Sequence, residues 1–222
     1  MKEVNHHTRV NDIILGPLER PALQWFAAHM PAWVTPDICT AIGVVGALVT
    51  ALGYGLSNFS PGWLWLASLG FIVNWFGDSL DGTLARYRHI ERPLYGYYID
   101  HSTDAVSQIL VILGMGLSPY ISFNIACLAL ISYLLLSVLA YLRTYVAGEF
   151  KISYGRLGPT ESRAIAVLLN ITMYFFGIQN FKLFSATFSV YDIVVAAIAL
   201  LLFSFFINTA AREARRLAAL GE

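Results

Sequence analysis

The chain has 222 residues, of which 57% are hydrophobic and only 13% charged, with 14 Lys and Arg balancing 14 Asp and Glu. Soluble domains carry roughly 25% charged residues, so this composition excludes an ordinary soluble protein and points to a polytopic membrane protein. The zero net charge argues against nucleic-acid binding as the main role.

Residues 1–34 are too polar, and too interrupted by Pro17, Pro21 and Pro31, to span a bilayer, and they lack the pattern of a cleavable signal peptide. Ile13, Ile14, Leu15, Leu18, Leu23, Trp25 and Phe26 alternate there with Arg9, Asp12, Glu19 and Arg20. That mixture predicts an amphipathic helix lying in the membrane interface. A helix crosses the hydrocarbon core with about 20 apolar residues, and six stretches of residues 35–222 qualify, near 36–57, 61–86, 95–117, 120–143, 160–178 and 187–210. The first opens with TPDICT, in which Thr35 or Asp37 can cap the helix and Pro36 suits its first turn. The fifth opens with Thr160 as its expected cap.

Positive charge fixes the predicted orientation. Lys2, Arg9 and Arg20 precede the first span, Arg86, Arg88 and Arg92 separate the second and third, and Arg143, Lys151, Arg156 and Arg163 flank the connection from the fourth to the fifth. With Arg212, Arg215 and Arg216 after the sixth, thirteen of the 14 Lys and Arg fall on one side, and only Lys182 on the other. The positive-inside rule then makes both termini cytoplasmic. The expected fold is therefore an all-α integral membrane protein, six transmembrane helices in one bundle (35–222) preceded by an interfacial helix (1–34). Cys39 and Cys127 lie in apolar spans and are assigned to packing, as are Gly43, Gly46, Gly53 and Gly55.

Against this background the stretch DSLDGTLARYRHIERPLYGYYIDHSTD, residues 78–104, stands out. Asp78 and Asp81 are three apart on the second span, with Gly82 and Ala85 following them at helical spacing. On the third, Gly96, Asp100 and Asp104 recur every four residues and form a stripe. A turn near Pro93 folds the helices together and brings the four carboxylates to similar depth in the inner leaflet, Asp78 lying roughly 12 Å along the axis from Arg86. Carboxylates this close repel in a medium that already penalises them, so a cation is required between them. An oxygen-only ligand set selects Mg²⁺, Mn²⁺ or Ca²⁺ over zinc or copper. Mg²⁺ usually keeps positions open for phosphate oxygens, which points to a phosphorylated or pyrophosphate substrate. Gly82 and Gly96 offer bare backbone to such a ligand, or else close helix packing. His101 lies off the stripe, and Asp192 is expected to find a hydroxyl neighbour or the interface.

The pattern Asp78-x-x-Asp81-Gly82-x-x-Ala85-Arg86, nine residues, then Gly96-x-x-x-Asp100-x-x-x-Asp104 resembles the signature of the CDP-alcohol phosphotransferases, membrane enzymes of phospholipid synthesis. All eight signature positions are present, and the six-span plan with its interfacial helix is similar to that family's. The resemblance implies transfer of a substituted phosphate from a CDP-linked donor, such as CDP-diacylglycerol or a CDP-linked alcohol, to an acceptor hydroxyl, with release of CMP. It implies two Mg²⁺ or Mn²⁺ ions on Asp78, Asp81, Asp100 and Asp104, and Asp104 as the general base. Donor contacts would come from Asp78, Asp81, Gly82, Ala85, Arg86 and Gly96, and a homodimer is implied as well. The acceptor, an alcohol or phosphorylated alcohol, would be met by Arg143, Lys151, Arg156, Glu161 and Arg163, of which the basic residues are equally accounted for by topology. An ion or proton transporter is the rival from another class, but the acids gather near one face and the outer halves of the spans are almost wholly apolar. A catalytically dead scaffold fits poorly with a signature that has no residue missing.

Overall fold

The computed structural model describes residues 14–147, 158–183 and 186–219. Among these residues seven helices follow in chain order: α1 Gly16–His29, α2 Pro36–Leu56, α3 Trp63–Tyr87, α4 Pro93–Gly116, α5 Phe123–Ala147, α6 Pro159–Phe176 and α7 Val190–Ala219. Each of the six predicted stretches falls on one helix from α2 to α7. By length and apolar composition, three of these helices can cross a membrane: α2, α5 and α7. Helices α3, α4 and α6 carry the ionisable residues of the site, which lowers their apolar character. The strands among the described residues are β1 Asn180–Leu183 and β2 Ala186–Ser189, an antiparallel hairpin that sequence periodicity does not reveal. It follows Gly177, whose φ of 65° is a left-handed conformation suited to glycine and ends α6.

Glycine brings α2 and α3 into backbone contact. A Cβ on Gly46 would meet the backbone of Asn74, one on Gly53 the backbone of Ala67, and one on Gly77 the backbone of Gly43. This is small-residue packing, in which van der Waals contact replaces a hydrophobic driving force. Gly43 and Gly46 therefore behave as expected, as does Gly53, but Gly55 does not: nothing lies within 4 Å of the place its Cβ would take. Gly70 and Gly77 of α3 complete the seam, and Gly114 of α4 packs on Ala51 in the same way.

Two apolar clusters flank the seam. The inner one joins Leu23 and Ala27 of α1 to Cys39 of α2 and Leu80 and Leu84 of α3, with Val34 from the connection, so Cys39 is indeed a packing residue. The outer one gathers Tyr54, Phe71, Tyr120, Met173 and Tyr191. Within it Tyr54 donates to Asn170 Oδ1 at 2.7 Å and Asn170 Nδ2 donates to Ser68 Oγ at 3.1 Å, so these buried polar groups are paired.

Capping explains several helix ends. Thr35 Oγ1 accepts from the Ile38 N–H at 3.3 Å and is the cap of α2. Asp192 accepts from Ser122 N at 2.7 Å, Ser122 Oγ at 2.9 Å and Ser189 N at 2.9 Å. It thereby ties the start of α5 to the start of α7, and its expected hydroxyl neighbour is Ser122. Thr160 does not cap α6, because its hydroxyl donates instead to Glu19 at 3.0 Å. The cap residue is Gly158, whose N–H donates to Glu161 Oε2 at 2.8 Å.

Arginines of the α3–α4 turn tie it to the N-terminal segment. Arg88 donates to the carbonyls of Met30, Pro31, Ala32 and Val34, and Arg92 pairs with Asp37. Helix α1 thus lies across the same end of the bundle as that turn. It buries Gly16, Leu23 and Ala27 and exposes Leu18 and Trp25.

Candidate active site

The fold brings Asp78 of α3 together with Asp100 and Asp104 of α4, each half-buried. One carboxylate oxygen from each lies within 4.8 Å of the other two. The helical spacing read from the sequence is the cause, since Asp100 and Asp104 share a stripe and the Pro93 turn returns it against α3. The fourth aspartate is turned aside. Asp81 Oδ2 accepts from Thr40 Oγ1 of α2 at 2.6 Å, and its Oδ1 accepts from the N–H of Gly82. Thr40, Asn74 and Ser107 join Asp78 and Asp104 in lining a narrow cleft beneath the cluster.

Arg163, the third residue after Thr160 on α6, reaches into this cluster. Its Nη2 donates to Asp78 Oδ2 at 2.6 Å and its Nε to Asn74 Oδ1 at 2.8 Å, while Asn74 Nδ2 donates to the carbonyl of Gly43 at 2.9 Å. The remaining nitrogen, Nη1, is buried without a hydrogen-bond partner. Sequence reasoning placed Arg163 at the opening of the fifth span as an acceptor residue and missed Asn74, although Asn74 precedes Asp78 by one helical turn on the same face. Thr40, at the start of α2, carried no sequence signal.

Arg163 pairs directly with Asp78, while Asp78, Asp100 and Asp104 bring three carboxylates together. The site therefore keeps an excess of hard oxygen donors, together with a buried donor that has no acceptor. That donor set fits a divalent cation with open positions for phosphate oxygens.

Around the cluster, Arg86 Nη2 donates to Thr83 Oγ1 at 3.3 Å. A Cβ on Gly82 would lie 3.2 Å from Arg86 Nη1, so the bare backbone leaves room for that head group. Gly96 is exposed and its Cβ position opens onto empty space. Ala85 is half-buried beside them on α3. His101 stacks on Tyr97 with ring centroids 4.1 Å apart, and its Nδ1 lies 3.7 Å from Asp100 Oδ2.

The predicted acceptor residues divide. Arg163 joins the carboxylates. Glu161 is engaged on both oxygens, by Gly158 N and by Leu15 N, each at 2.8 Å. Arg143 of α5 buries an Nε that has no hydrogen-bond partner. Lys151 and Arg156 lie outside the described residues. A larger cavity, of about 340 Å³, lies around Ser118, Tyr120, Asn180 and Asp192. It is at the far end of the bundle, with Gly116 roughly 18 Å along α4 from Asp104, and holds no second carboxylate.

The family model described as CDP-alcohol phosphatidyltransferase matches residues 33–207. The chain belongs to that family. The chain is also similar to proteins of known name. The cholinephosphotransferase 1 of Gallus gallus is 27% identical over 181 residues, covering 78% of this chain and 53% of that protein. The Mus musculus protein of the same name is 26% identical over 183 residues, covering 79% and 45%. The phosphatidylinositol phosphate synthase of Cutibacterium acnes is 36% identical over 92 residues, 40% of this chain and 41% of that one. The chain thus spans about half the length of the curated relatives it matches. Within the matched region lie all the residues of the carboxylate cluster together with Arg163.

Proposed function

We propose that the protein transfers a substituted phosphate from a CDP-linked donor to an acceptor hydroxyl and releases CMP. The observation that carries this reading is the three-carboxylate cluster of Asp78, Asp100 and Asp104 inside a chain of the CDP-alcohol phosphatidyltransferase family. On this reading the six helices α2–α7 span the membrane as one domain, residues 35–222. Helix α1 lies in the interface, both termini are cytoplasmic, and the site opens to the cytoplasmic leaflet. The protein works as a homodimer.

Asp78, Asp100 and Asp104, joined by Asp81 once it turns inward from Thr40, would hold two Mg²⁺ or Mn²⁺ ions. Such ions supply charge neutralisation for a pyrophosphate and stabilise a departing phosphate. The protein groups do the rest. Arg86 contacts a donor phosphate, and the open backbone at Gly82 and Gly96, with Ala85 between, admits the cytidine and pyrophosphate. Asp104 takes the proton of the acceptor hydroxyl. The acceptor oxygen then bonds to the donor's distal phosphorus as the bond from that phosphorus to CMP breaks. Arg163 offers its free Nη1 to a phosphoryl oxygen, and Arg143, Lys151, Arg156 and Glu161 are the proposed contacts for the acceptor.

Two substrate pairs follow from the relatives. CDP-diacylglycerol with a soluble alcohol or its phosphate matches the phosphatidylinositol phosphate synthase, and a CDP-linked amino alcohol with a lipid hydroxyl matches the cholinephosphotransferases. The deciding assay is CMP release by protein in nanodiscs, with Mg²⁺ or Mn²⁺ and both pairs offered. We expect CMP with one pair only, and none after EDTA until the metal is restored. CMP release that survives EDTA, or none from either pair, would overturn the reading.

A further inference from the structure

Helix α1 meets the site through two glutamates. Glu19 of α1 accepts from the Trp75 indole N–H of α3 at 3.2 Å and from the Thr160 hydroxyl of α6 at 3.0 Å. Trp75 directly follows Asn74, and Thr160 stands three residues, almost one turn, before Arg163. Asn74 and Asp78 are the two groups that hold the Arg163 guanidinium. Glu19 therefore clamps the two helical turns between which the arginine is suspended. Glu161 completes the junction. Its carboxylate accepts from the N–H of Leu15, at the start of α1, and from that of Gly158, at the start of α6. One negative charge thus serves the positive ends of two helix dipoles.

Over its first three turns α6 exposes Ser162, Ala164, Ile165 and Leu168, and the hydrogen bonds of Thr160 and Glu161 to α1 help to fix its rotation there. A small rotation of α6 would swing Arg163 away from Asp78, because the side chain projects far from the helix axis.

We infer that Glu19 is a positioning residue for the carboxylate cluster: it sets the first turn of α6 so that Arg163 stays on Asp78 and thereby tunes how strongly the cluster attracts a cation. This rests on the proposed metal role of the aspartates, although its test does not need turnover. A guanidinium in contact with one ligand opposes a divalent ion at that ligand. Withdrawing it tightens cation binding by roughly tenfold or more, given the strength of unscreened pairs in a part-buried site.

The experiment is Mn²⁺ titration followed by electron paramagnetic resonance on the full chain in nanodiscs, with thermal unfolding measured alongside. Arg163→Ala should bind Mn²⁺ roughly tenfold more tightly than wild type. Glu19→Ala should reproduce most of that gain, and the double variant should bind no more tightly than Arg163→Ala alone, since both remove the same charge from the same place. Glu19→Gln keeps an acceptor and should return most of the way to wild type. Thr160→Val, of the same size without the hydroxyl, should shift affinity in the same direction as Glu19→Ala and serves as the measure should Glu19→Ala not fold. Wild-type affinity in Glu19→Ala and Thr160→Val, or gains that add to that of Arg163→Ala, would overturn the inference. So would a shift in every variant that merely follows lost thermal stability. The same preparations report CMP release: an inactive wild type would defeat the proposed reaction while the Mn²⁺ data still decide the role of Glu19.

Discussion

Gly77→Ala tests whether the glycine seam between α2 and α3 sets the position of the carboxylates. An alanine Cβ there would stand against the backbone N of Gly43 and the carbonyl O of Cys39, and 2.7 Å from Gly43 Cα. Carbon atoms settle about 3.5–4.0 Å apart, so the two backbones must part locally by roughly 1 Å. They cannot do so by rotating a side chain, because every obstacle is main chain. The seam is also pinned on the same side by Gly46 against Asn74 and by Gly53 against Ala67. We therefore expect a loss of about 2–3 kcal/mol, the upper part of the usual range for overpacking. Asp78 is the next residue and Asn74 lies one turn back, so both move with the displaced backbone. A displacement of about 1 Å can lower an enzyme's rate on the order of a hundredfold. Thermal unfolding in detergent and CMP release at saturating substrate measure the two effects, with Gly55→Ala as the control because its Cβ enters open space. Wild-type stability and rate in Gly77→Ala would refute the packing argument. Lost stability with an unchanged rate would show that the seam holds the fold without placing the site.

Asp104→Asn should lower CMP release by roughly 10²–10⁴-fold, the usual worth of a general base, without lowering the unfolding temperature, since it removes one of three carboxylates within 4.8 Å of each other. An active Asp104→Asn protein would assign the proton transfer elsewhere. Gly96→Val should leave stability within about 0.5 kcal/mol of wild type, as surface changes usually do, because the Cβ meets no protein atom. It should nonetheless raise the KM for the CDP-linked donor; a changed acceptor KM alone would place Gly96 outside the donor pocket. Asp192→Ala removes the acceptor for Ser122 and Ser189 and should cost about 1–2 kcal/mol, as the loss of helix caps does. Its kcat/KM below the melting range should match wild type, and a substantial fall would mean that the far end of the bundle takes part in turnover.

Much of this arrangement is legible in the sequence because it follows from periodicity. Asp100 and Asp104 share a face at any helical spacing of four, and the Pro93 break between two apolar runs returns that face toward Asp78. The six helices start within three residues of where hydropathy places them, although α7 runs nine residues past its predicted end at 210. The parts that escaped depend on contacts between residues distant in the chain. Asp81 is as well spaced for the cluster as Asp78, yet a hydroxyl from α2 draws it aside. Thr160 has the composition of a cap, but Glu19, from 141 residues earlier, takes its hydroxyl. Gly55 matches the small-residue pattern of its neighbours and faces open space all the same, because pattern alone does not say which face of α2 meets α3. Arg163 lies in a basic region that topology explains without any site, and only the crossing of α6 over α3 shows where the guanidinium ends.

The sequence separations at the α1 junction also fix an order of assembly. Helix α1 is synthesised early, but the partners that seat it on α6 lie 146 and 141 residues further on, at Glu161 and Thr160. Asp78 likewise waits 85 residues for Arg163. The chain therefore lays down its acidic helices before it makes Arg163, and the hydrogen bonds that join α1 to α6 form only when α6 arrives. The junction between first and sixth helices is thus a late event in biosynthesis, and a nascent chain stopped before α6 carries the aspartates without the arginine that answers them.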